Sequence, residues 1–205
     1  MLAKRITRQD LETLLLHDRA EVREAAVAYW PEVTDSRSRR LLLRRLDDPA
    51  WQVRVRTIQR LAPQKASEEV LKALVGALSD PHPHVRQEAV IALGDLPCSD
   101  IAARLQACVL HDEDLWVRVR AVEQLVHRRE RGLGLFLLQA FKGAPIPLQL
   151  SIVQALGTIE DRPAICALET FRSSVGPEVA EAIDEVVHRH LQTVGPTFEK
   201  AKVLV

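Results

Sequence analysis

The stretch Asp80-Pro81-His82-Pro83-His84-Val85-Arg86, continued by Ala89-Val90-Ile91-Ala92-Leu93-Gly94, decides the fold. An Asp-Pro turn leads into Val85, and Ala89, Val90 and Leu93 follow it four, five and eight places on. Those spacings lay the apolar side chains along one stripe of an α-helix, whereas a strand would alternate. The pattern recurs in both directions. Asp48-Pro49-Ala50-Trp51-Gln52-Val53-Arg54 lies 32 residues upstream, Asp18-Arg19-Ala20-Glu21-Val22-Arg23 about 31 further, and Asp112-Glu113-Asp114-Leu115-Trp116-Val117-Arg118 lies 32 downstream. Weaker copies at Leu148 and Val179 continue at steps of 31 and have lost the arginine.

The residues after each anchor agree. Val22 is followed by Ala26, Val27 and Trp30; Val53 by Thr57, Ile58 and Leu61; Val117 by Ala121, Val122 and Leu125; and Leu148 by Ile152, Val153 and Leu156. The sixth copy, Val179, Ile183 and Val187, places Asp184 where an apolar residue is expected, which suits a terminal repeat whose outer surface meets water. A second apolar run precedes each anchor, as in Leu11, Leu14, Leu15 and Leu135, Leu138, Phe141, and reads as a first helix packed on the second. Thr7 with Asp10, Ser67 with Glu68 and Glu69, and Ser99 with Asp100 supply helix starts. Pro31, Pro63 and Pro97 follow second helices, while Pro49, Pro81 and Pro145 occupy the turns before them.

The periodicity therefore predicts an all-α chain of about six helix pairs, at 8–31, 35–63, 67–97, 99–129, 131–159 and 161–192. Together they make one repeat domain, 1–192, followed by a tail, 193–205, that breaks at Gly195-Pro196. The turn Asp-Pro-x-x-x-Val-Arg and the run Ala89-Val90-Ile91-Ala92-Leu93-Gly94 resemble HEAT repeats, and the short period resembles the phycobilisome-lyase-type HEAT-like repeat, over about residues 8 to 190. That resemblance implies a right-handed α-solenoid of antiparallel helix pairs whose second helices line the concave side. Repeats of this kind specify stacking, and the partner has to be argued from the surface.

The 205 residues carry 28 Lys+Arg against 28 Asp+Glu, and zero net charge argues against a general nucleic-acid binder. Asp10 and the polar residues around it leave the N-terminal stretch without an apolar run long enough for a signal peptide or a span, so a cytoplasmic protein without membrane attachment is expected. Cys98, Cys108 and Cys166 are odd in number and lack metal-site spacing, which supports neither a disulfide framework nor a zinc site. His82-Pro83-His84 and His188-Arg189-His190 pair imidazoles without accompanying carboxylates or thiols at ligand spacing, so no metal or cofactor is assigned. His17 and His111 are expected to close helix-end carbonyls. No nucleophile elbow, phosphate loop or zinc-protease pattern occurs, and no catalytic residue is assigned.

Residues three, six and seven places after each anchor are expected to face the concavity. They include Tyr29; Arg56, Gln59 and Arg60; Glu88 and Ala92; Arg120, Glu123 and Gln124; Gln154 and Ala155; and Val186. Their mixture of cations, acids and amides suits a protein-binding groove, although it also describes a solvated face. Trp51 and Trp116, in turns near the starts of second helices, are candidate rim anchors or covers for the edge between neighbouring repeats. Asp48, Arg54, Asp80, Arg86, Asp112 and Arg118 are expected to form a structural ladder, each Asp accepting helix-start amides and each Arg reaching the Asp of the next repeat.

The leading functional expectation is a non-catalytic scaffold or adaptor gripping one partner protein on the concave face. The resemblance also implies a bilin-handling lyase or chaperone subunit, in which arginines would pair with propionates. A third reading, a HEAT-like DNA glycosylase, conflicts with the neutral charge and the acids among the arginines. Neither partner identity nor oligomeric state is written in the sequence.

Overall fold

The structure is a computed structural model that describes residues 6–63, 67–94, 99–128 and 132–194, and among them only helices, turns and loops occur. Contacts divide it into two compact units, Met1–Ile101 and Ala102–Val205.

The first unit contains α1 (Arg8–Leu14), α2 (Ala20–Ala28), α3 (Ser36–Leu43), α4 (Trp51–Leu61), α5 (Glu68–Ala77) and α6 (Pro83–Gly94), with a 3-10 turn, Arg44–Asp47, extending α3. Helices α1, α3 and α5 pack on α2, α4 and α6, and α4 lies between α2 and α6. The apolar stripe dictates this arrangement. Ala26, Val27 and Trp30, then Val53, Ile58 and Leu61, then Val85, Ala89, Val90 and Leu93 are all buried. Thr57 joins them because its hydroxyl donates to the Val53 carbonyl at 2.7 Å, which satisfies that buried group.

The second unit contains all but the first three residues of α7 (Ser99–His111), and α8 (Leu115–Arg128), α9 (Leu133–Phe141), α10 (Ile146–Ile159), α11 (Arg162–Leu168) and α12 (Pro177–Val194), with a 3-10 stretch, Glu169–Ser174, after α11. Here α10 lies between α8 and α12, α9 packs on α10, and α11 packs on α12. Phe141 is fully buried and meets Phe171 edge-on at a centroid distance of 5.3 Å. Asp184 is exposed and accepts from Arg172 at 2.7 Å, so the polar residue in the sixth stripe faces water.

Helix starts follow local chemistry. Thr7 and Asp10 form a reciprocal capping box on α1, and Asp35 and Asp161 accept the Ser38 and Ala164 amides at 2.9 and 3.1 Å. Ser67 stands at the N-cap of α5 without accepting an amide, and Glu68 and Glu69 supply the favourable charge there. His17 differs from expectation. Its Nδ1 accepts the Arg19 amide at 3.1 Å, while its carbonyl is taken by Arg23. The expectation for the seventh place after each anchor is corrected in three repeats, since Ala92, Ala155 and Val186 are buried. At 3.6 residues per turn, seven residues return to within about 20° of the anchor, so this position flanks the packed stripe. Pro97, Cys98 and the tail from Gly195 onward lie outside the described residues.

Candidate functional site

The turns before the second helices hold a repeated ion-pair device. Arg23 on α2 donates through Nε and Nη2 to both oxygens of Asp48, at 2.8 and 2.7 Å, and through Nη1 to the His17 and Asp18 carbonyls, both at 2.8 Å. Arg54 on α4 repeats this with Asp80, again at 2.8 and 2.7 Å, and caps the Asp48 carbonyl at 2.8 Å. Arg86 caps the Asp80 carbonyl at 2.9 Å. Each guanidinium thus closes the turn of its own repeat, and Arg23 and Arg54 also grip the carboxylate of the next. The carboxylates in turn accept the amide two residues on: Ala50 at 3.0 Å, His82 at 2.8 Å and Asp114 at 2.9 Å. These are bidentate, charge-assisted bonds, the strong kind.

Asp48 is only 4% exposed. Burial alone would raise its carboxyl, but the Arg23 hydrogen bonds, the Ala50 amide and the nearby charges of Arg23 and Arg45 outweigh that and hold it below the ordinary carboxylate range. The Asp48 bonds raise the Arg23 guanidinium against the opposing effect of burial.

At the same edge Trp51 stacks on His82 of the next repeat, with centroids 4.4 Å apart and planes 9° from parallel, and His84 tilts against both rings. Burial, then the charges of His84, Arg54 and Arg86, lower the His82 pKa, while Asp80 opposes them. A histidine held below its ordinary value binds protons less readily when stacked than when released. The stack is therefore at full strength above about pH 6.5 and weakens as pH falls through the lowered value. Acid titration should change Trp51 emission with a midpoint below about pH 6.5, and Trp51→Phe should remove that transition. A midpoint at the ordinary histidine value would contradict the assignment.

The solvent side of the second helices carries the groove candidates. In the first unit Tyr29 is 75% exposed, Gln59 is exposed, and Arg56, Arg60 and Glu88 are half-buried. Arg56 links α4 to α2 by donating to Glu24 at 3.2 Å, and within α4 it donates to Gln59 at 2.9 Å. Arg60 has no acceptor among the described residues, and its Nε is buried without one. In the second unit Arg120 pairs with Glu123 at 2.8 Å, both well exposed, with Gln124 half-buried and Gln154 exposed. Trp116 is 58% exposed. Sequence reasoning missed the Arg56–Glu24 pair and the Trp51–His82 stack, because Glu24, Trp51 and His82 do not recur at the same place in the neighbouring repeats.

No cluster of three or more His, Cys, Asp or Glu side chains arranged for a metal occurs among the described residues. Nor is any helix among them long and apolar enough to cross a membrane.

Comparison with known proteins agrees with the repeat reading. Residues 39–126 match the family described as HEAT repeats. No curated protein matches by sequence. Among solved structures, the crystal structure of an engineered protein from the Northeast Structural Genomics Consortium superposes with a TM-score of 0.51 at 18% identity, covering 89% of this chain and 96% of that one. The complex of CpcE and CpcF of phycocyanin lyase from Nostoc sp. PCC7120 superposes with a TM-score of 0.44 at 14% identity, covering 93% and 97%. The fold is an all-α repeat solenoid, and residues 39–126 within it match HEAT repeats.

Proposed function

We propose that this protein is a non-catalytic interaction scaffold that binds a partner protein on the solvent side of its second helices. One observation carries the reading. Preorganised polar groups stand on a rigid helical layer with donors to spare: the exposed Tyr29 hydroxyl, the side-chain amide nitrogen of Gln59, and an Arg60 without an acceptor among the described residues. Rigid elements lose little freedom on binding, so such groups contribute more of their interaction energy to affinity. Arg120, Glu123, Gln124 and Gln154 offer a comparable mixed-charge surface in the second unit. Tyr and Arg are the residue types most often responsible for binding energy, and mixed charge favours selectivity over general attraction to a polyanion.

Affinity purification with quantitative mass spectrometry tests the reading. A variant carrying Arg56→Ala, Arg60→Ala, Arg120→Ala and Glu123→Ala should keep the wild-type far-UV circular dichroism and lose a partner that the unaltered chain retains. Equal recovery by both chains would remove the second-helix assignment.

A further inference from the structure

We propose that Arg118 receives a carboxylate from a partner protein, an Asp or Glu side chain flanked by a large apolar residue. The proposal rests on the scaffold reading only for the partner's being a protein. Arg23 finds its carboxylate 25 residues downstream and Arg54 finds its own 26 downstream, each through two short bonds. The residue 25 positions after Arg118 is Gly143, which has no side chain to offer.

The turn explains the substitution. In the earlier repeats the Asp also serves the amide two residues on. Here that residue is Pro145, which has no N–H. The turn closes without a carboxylate: Gly143 adopts a left-handed φ of 72°, and the Leu148 and Gln149 amides both reach the Pro145 carbonyl at 3.0 Å. Arg118 meanwhile donates Nε to the Val109 carbonyl at 2.7 Å, and among the described residues neither Nη group meets an acceptor. A half-buried guanidinium held at one nitrogen, with two donors left, is a preformed half of the bidentate pair made elsewhere in the chain.

The surroundings define the ligand. Trp116 lies in the first turn of α8, and Ile146, 48% exposed, lies in the first turn of the neighbouring α10. Exposed Lys142 adds a second cation beside Gly143. An acidic residue next to a large hydrophobic one matches this surface, the acid pairing with Arg118 and the apolar side chain resting on the exposed Ile146 of the neighbouring helix.

Selection of linear peptides from a phage-displayed random library on the full chain tests this. Enriched peptides should carry Asp or Glu beside Leu, Phe or Trp, and changing that acid to its amide should weaken binding about tenfold. Arg118→Gln should abolish the difference between acid and amide peptides. Gly143→Asp, which supplies an internal carboxylate and leaves Arg118 in place, should do the same; circular dichroism checks that both variants fold. Enrichment without an acid, or an acid preference that survives Arg118→Gln, would overturn the proposal. If Arg56→Ala with Arg60→Ala removes binding while Arg118→Gln leaves it unchanged, this inference falls and the scaffold reading stands.

Discussion

Asp48→Ala is expected to lower the unfolding free energy by about 3–5 kcal/mol, measured by urea denaturation with far-UV detection. The cost does not come from the value of the pair itself. Asp48 is the acceptor for two Arg23 donors and for the Ala50 amide. Its removal leaves a buried guanidinium that keeps the His17 and Asp18 carbonyls but has lost its counter-charge, and that uncompensated charge dominates the loss. Replacing both partners, as Arg23→Met with Asp48→Leu, should recover most of the stability, because desolvating two ions nearly cancels their attraction. A double variant as unstable as Asp48→Ala alone would mean that the rung's geometry, and not its charge balance, holds the turn. Acid should act in the same direction as the single substitution. Asp48 is held below its ordinary range in the folded chain, so its contribution is complete above about pH 4 and is lost as pH falls toward the lowered value.

Phe141→Ala should cost a comparable amount, about 3–5 kcal/mol in the same assay. Phe141 ends α9 fully buried, and its ring meets Phe171 from the 3-10 stretch after α11. Truncation loses the transfer free energy of the ring, opens a cavity between two first helices and removes the aromatic pair. Phe141→Leu keeps most of the volume and should cost far less, about 1–2 kcal/mol. Equal losses for Ala and Leu would point to the ring contact over the cavity as the main contribution.

The repeat was legible because burial acts at fixed helical spacing. Val53, Ile58 and Leu61 are as buried as the spacing requires, and so are Val85, Val90 and Leu93, Val117, Val122 and Leu125, and Leu148, Val153 and Leu156, while Val22 and Val187 in the first and last repeats are half-buried. The arginine and aspartate could be read for the same reason, since the same residue types recur at the same distance from each anchor. Three features were not legible. The seventh place after the anchor depends on an angle that turns it back toward the packed side, which buries Ala92, Ala155 and Val186. The Trp51–His82 stack depends on how two loops from different repeats meet. Arg118 turns to Val109 because its expected acceptor is missing, a consequence of Gly143 and Pro145 that a motif search treats as mere degeneration of the repeat.

The most direct measurement is site-specific photo-crosslinking in cells, with a photoreactive phenylalanine analogue at Gln59 on the second helix or at Arg40 on the first, both exposed. Binding across the second helices predicts a discrete protein adduct from position 59 and little from position 40. An adduct from 40 alone, or none from 59, would contradict it.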